Sequence, residues 1–98
     1  MAGVPEFSTG RLGSISTSAL QLTTAVTHAH RGVQVIADSA NTAKVYVGVS
    51  TVTADGGDTT SGFPLGAGES IVVPVIDPST IYVIADDASG SKVFFMTV

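Results

Sequence analysis

The side chains whose types and spacing suit chemistry are His28 and His30, the acids Asp55 and Asp58, and the adjacent Asp86 and Asp87. On a strand, His28-Ala29-His30 would project both imidazoles from one face about 7 Å apart, a separation that suits a shared metal. Zinc wants at least a third protein ligand, and the nearest acid, Asp38, stands beyond a turn signal. The pair therefore reads as polar residues at a strand end or in a loop, unless a symmetric trimer gathers three copies of one His around its axis. Asp55-Gly56-Gly57-Asp58 is similar to part of a calcium loop, because hard cations draw several oxygens from an acidic turn. The EF-hand spacing and its closing glutamate are missing, so a plain surface loop is the expectation. Asp86 and Asp87 are neighbours, which face opposite ways on a strand end, and they read as a solvated turn. No nucleophile elbow, phosphate-cradling glycine loop or HExxH helix is present. The chain is expected not to be an enzyme, and no catalytic residue, metal or cofactor is assigned to it.

Whatever these side chains do, a small domain must position them. At 98 residues the chain holds one domain at most. Charged residues are 12%, about half the usual share, while apolar residues keep a normal 44%, which excludes disorder. Arg11, Arg31, Lys44 and Lys92 are the only Lys or Arg, against eight acids, for a net charge of −4. With no basic face to neutralise phosphates, nucleic acid is not an expected partner. The longest apolar run, 71–76, is six residues and contains Pro74, far short of the roughly 20 that a membrane helix needs. A membrane partner is not expected either. MAGVPEFSTG lacks the cationic start and apolar stretch of a secretory signal, and the absence of cysteine fits assembly in a reducing cytosol. Val, Ile and Thr make up about a third of the chain, and such β-branched side chains lose least in a pleated strand. The fold class is expected to be all-β.

Residues 1–13 carry three Gly and Pro5 without periodicity and read as an extended N-terminal arm, leaving 14–98 as the folded domain. Ile15 to His28 is strand-like with a bulge, a helix over 18–28 being the competitor. Val33 to Ala37 is a short strand ending in a turn at 38–41. The clearest alternation runs from Ala43 to Val49, with Ala43, Val45, Val47 and Val49 inward and Tyr46 outward. Residues 54–68 read as a long loop pinned by Phe63 and Leu65. Glu69 to Val75 alternates with Ile71, Val73 and Val75 on one face, and Ile81 to Ala85 is its natural hairpin partner. Val93 to Val98 is apolar on both faces and is expected to be buried on both. Five clear strands and one or two more, with turn signals about every ten residues, indicate a small antiparallel β-sandwich. Strand order is not written in periodicity, so a jelly roll and other sandwich topologies remain open.

Apolar side chains also stand at outer positions: Ile36, Tyr46, Val72, Ile84, Phe94 and Met96. That excess, on a chain poor in charge, predicts a homo-oligomer, a dimer or trimer, because charge is depleted at interface centres. The residues assigned to the interface are Tyr46, Phe94, Met96 and Val98.

Several pieces of the stretch from Gly32 to Val98 form a recognisable series. Ala40-Asn41-Thr42 leads into Val45-Tyr46-Val47-Gly48, then come Phe63-Pro64-Leu65, Gly68-Glu69-Ser70-Ile71, Ile81-Tyr82-Val83-Ile84-Ala85 and Gly90-Ser91-Lys92-Val93. In order and spacing this resembles small virion structural proteins of tailed bacteriophages. The familiar turn has Pro before Gly-Glu, where this chain has Ala67. The resemblance implies a non-enzymatic capsid decoration or cement protein. Its partners would be itself and the major capsid or another virion protein, and its location the virion, after assembly in the host cytoplasm. A neck, tail or head-fibre component is the near alternative. A carbohydrate-binding or adhesive sandwich is a second class, thinly supported by Tyr46 and Tyr82 without any Trp. A cupin-like metal enzyme, suggested by His28 and His30, is a third.

Overall fold

The computed structural model describes residues 9–24, 31–54, 59–75, 77–88 and 90–98. Among the described residues there are eight strands: β1 (Thr9–Ile15), β2 (Leu20–Gln21), β3 (Val33–Ala37), β4 (Val45–Gly48), β5 (Phe63–Leu65), β6 (Ser70–Val73), β7 (Tyr82–Ala85) and β8 (Ser91–Thr97). They form two packed four-stranded antiparallel sheets, sheet A in the order β1-β8-β3-β6 and sheet B in the order β2-β7-β4-β5. First pairs with last throughout: β1 with β8, β2 with β7, β3 with β6, and β4 with β5. The chain is thus one long hairpin rolled up, with β8 then paired to β3 and β7 to β4. That is the strand order of a jelly roll.

Alternation supplies the core. Val33, Val35 and Ala37 of β3, Val45 and Val47 of β4, Val83 and Ala85 of β7 and Val93 of β8 are buried in one cluster with Ile15, Leu22, Leu65 and Ile81. At the end of β3 the Asn41 side chain takes the place of a strand residue. Its Nδ2 donates to the Lys92 carbonyl at 2.8 Å and its Oδ1 accepts from the Lys92 N–H at 2.9 Å. Asp77 accepts from Ser79 N–H at 2.9 Å and so caps the one-turn 3-10 helix Pro78–Thr80, which turns the chain into β7.

The all-β sandwich agrees with the sequence reading, and several local expectations are corrected. The ladder reaches back to Thr9, so residues 9–13 of the expected arm belong to β1. Of the strand expected from Ile15 to His28, residues 25–28 lie outside the described residues, and the rest divides, because Ile15 closes β1 and Leu20–Gln21 form β2. β6 and β7 are not a hairpin: they lie in opposite sheets and pair with β3 and β4. Val49 stands outside β4 and is 66% exposed. Of the two expected loop anchors, Leu65 is buried and Phe63 is 56% exposed, on an edge strand with no neighbour beyond it. β8 buries Val93 and Thr97 on its inner face but leaves Phe94 41% exposed on the other, so it is not buried on both. Ile84, expected outside, is buried.

At Gly32 and at Gly62 a side chain would run into neighbouring backbone. Gly32 has φ 152°, and a Cβ there would stand 2.5 Å from the Val73 carbonyl oxygen. Gly62 lets buried Val52 fold back onto sheet B; a Cβ would lie 2.6 Å from Val52 Cγ2 and 2.8 Å from the Val47 carbonyl oxygen. Gly62→Ala is therefore expected to cost about 1–3 kcal/mol by overpacking. Thermal denaturation followed by circular dichroism should show a fall of roughly 4–8 °C per kcal/mol. Melting at the wild-type temperature would mean that the fold-back loop yields freely.

Candidate functional site

The outer face of sheet A follows from strand parity. Cross-strand register aligns Thr9, Met96, Gln34 and Val72 in one row and Arg11, Phe94, Ile36 and Ser70 in the next. Phe94 and Ile36 are direct neighbours, with Met96 and Val72 diagonal to Ile36, so four apolar side chains on three strands form one patch. Ile36 is 38%, Phe94 41% and Val72 50% exposed. Thr9, Arg11, Gln34, Ile36, Phe94 and Met96 line an open groove of about 550 Å³ along this face.

The rim is polar. Arg11 stands beside Phe94 on the edge strand, and Lys92 meets Asp38 at 3.9 Å at the end of β8 and β3. Among the described residues Asp38 is the one carboxylate whose register puts it on this face. Glu69 is turned to its own loop, where its Oε1 accepts from Gly66 N–H at 2.6 Å. A patch of aromatic, Met and Ile groups rimmed by Thr, Gln, Ser and Arg has the composition of an association surface. Such a surface gains free energy when water is removed from it.

The residues that the sequence assigned to an interface do not all come together. Phe94 and Met96 share this face, and Val98, just beyond the end of β8, is held by backbone bonds to Gly32, 2.9 Å from Val98 N to Gly32 O. Tyr46 is on the outer face of sheet B, between Ile84 and Pro64. Arg11, Thr9 and Gln34 were missed. For Arg11 and Thr9 the reason is that they were counted in the arm, although the alternation Thr9, Arg11 against Gly10, Leu12 was there to be read.

Smaller concavities also open among the described residues. One, about 290 Å³, opens between the edges of the two sheets, where Phe63 and Val47 face Ile71, Val73 and Val75. The other, about 170 Å³, is polar and bordered by Asp38, Asn41, Thr42 and Ser91. Ser91 is 2% exposed and its Oγ has no hydrogen-bond partner among the described residues. His28, His30, Asp55 and Asp58 lie outside the described residues. Asp86 and Asp87 are exposed in the turn before β8. Among the described residues no group of three His, Cys, Asp or Glu is placed to hold a metal, and no helix is long and apolar enough to cross a membrane.

Compared with known proteins, the chain matches no family model, no curated protein and no solved structure at a significant level.

The orphaned hydroxyl of Ser91 generates a prediction. A buried polar group without a partner costs about 1–3 kcal/mol, so Ser91→Ala should hold or raise stability, by up to about 1 kcal/mol. Denaturant unfolding at equilibrium measures this, and a loss of stability would show that the hydroxyl has a bound partner in solution.

Proposed function

We propose that this chain is a non-enzymatic virion structural protein of a tailed bacteriophage. In this reading it is a capsid decoration or cement protein that self-associates as a dimer or trimer and binds the outside of the assembled head. The observation that carries the reading is the outer face of sheet A, where Ile36, Val72 and Phe94 stand exposed in the isolated chain. The resemblance of the stretch from Gly32 to Val98 to small phage virion proteins supplies the biological setting. Jelly rolls are common in viral capsid domains, although they also serve in lectins and cupins, so the fold is support by analogy alone.

The mechanism needs no reactive group. A decoration protein acts by binding the assembled shell and not its free subunits, which stabilises the shell by mass action. Many copies, each with a modest interface, add avidity. The partners are a second copy of the chain and the major capsid protein, or another virion protein if its place is the neck, tail or a head fibre. The site is the virion, reached from the host cytoplasm. A lectin-like reading draws on Tyr46 and Tyr82, which share the outer face of sheet B. Both are half-buried, and binding on a glycan array is its test.

In solution the wild-type chain should have two or three times its 9.8 kDa mass by light scattering, and it should sediment with purified heads of its phage. Phe94→Asp should reduce the mass to that of a monomer and abolish co-sedimentation, with the β-sheet circular dichroism unchanged. A chain that stays in the supernatant while the heads pellet refutes the decoration role.

A further inference from the structure

The groove on sheet A is unpartnered within the described chain, and what precedes its edge strand suits it. Thr9, the first described residue, is itself part of the groove wall, paired with Met96. The eight residues before it, MAGVPEFS, contain Met1, Val4, Pro5 and Phe7 and a single charged side chain, Glu6. The groove in turn holds apolar Phe94, Ile36 and Met96 and a single cation, Arg11, without an ion pair among the described residues. We infer that the groove of one copy is filled by residues 1–8 of a second copy, Phe7 entering between Phe94 and Ile36 and Glu6 meeting Arg11. This rests on the self-association proposed above.

Length permits it. Strands lie about 4.8 Å apart, so the four-stranded face is roughly 14 Å across, and eight extended residues reach about 26 Å. The same geometry excludes the chain's own groove. Thr9 is held in its ladder, and a reversal needs two central turn residues, whereas only Ser8 separates Phe7 from Thr9. Continued along its own strand, Phe7 would stand four residues, about 13 Å, from Arg11. Charge argues for the arm over a second sheet face. Among the described residues the one carboxylate on that face, Asp38, already meets Lys92 at 3.9 Å, so face-to-face pairing of the described surfaces leaves Arg11 without an anion. Glu6 supplies one.

The chain has no Trp, which makes Phe7→Trp a clean reporter. Its emission should be blue-shifted at high concentration and move to the red on dilution, in step with a fall in molar mass. Adding Phe94→Asp should remove the blue shift. A chain lacking residues 1–8, which keeps all of β1, should be monomeric and folded by circular dichroism. Glu6→Arg should weaken association by roughly five-fold, the scale of a surface ion pair, and Arg11→Glu in the same chain should restore it. An oligomer that survives the deletion overturns the inference and leaves self-association standing. A blue shift that persists when dilution has lowered the molar mass to that of a monomer, or an exposed emission at every concentration in an intact oligomer, overturns it equally. Failure of the charge swap to restore association overturns the Glu6–Arg11 pairing. A monomeric wild-type chain at all concentrations overturns this inference and the self-association beneath it together.

Discussion

The structure depends on β8 lying between β1 and β3. The last strand hydrogen-bonds along both edges, to Thr9–Ile15 on one side and Val33–Ala37 on the other. Sheet A divides without it, as sheet B would without β7, which joins β2 to β4. Once β8 is in place, period-two alternation sets the rest. Val93, Phe95 and Thr97 turn towards sheet B, while Phe94 and Met96 must turn to the outside. The β8 share of the apolar patch, Phe94 and Met96, is thus the reverse of a core strand.

Edges and faces are treated differently. β1 carries an irregularity between Leu12 and Ile15, with Ser14 at φ 57°, β2 is two residues long, β5 contains Pro64, and β6 stops just before Pro74. Each of these blunts an edge against strand addition. The outer face of sheet A has no such protection: its charged groups stand at the rim and its centre is apolar. A chain that guards its edges and leaves one face open is suited to association through side chains rather than backbone ladders, which supports the proposal of a structural subunit. Val52, folded onto sheet B where Gly48 and Gly62 leave room, partly covers the opposite face.

Much of the candidate surface was legible from residue types. Phe94, Met96, Ile36 and Val72 were readable as outer apolar positions because alternation assigns a face to every residue once its strand is recognised. Their union into one patch was not, since it needs the register that sets Phe94 beside Ile36. Tyr46 shows the limit from the other side. Its outward direction was correct, but its strand went to sheet B, and outwardness on two sheets is two surfaces. Arg11 was lost because Gly3, Gly10, Gly13 and Pro5 made the whole segment look unstructured, when Gly10 in fact lies opposite the Phe95 ring.

The sequence by itself determined the all-β class, most strand positions and the inward residues of β3, β4 and β7, because propensity and period-two patterning are local properties. It determined the shortage of charge that leaves an apolar face tolerable. Only the tertiary structure decided which strands are neighbours. Pairing of β1 with β8, or of β3 with β6, joins residues far apart in the chain, and identical alternation patterns fit many partners equally well. What selects among them is the simultaneous filling of one core by two sheets, a condition on all the strands together that no single segment contains.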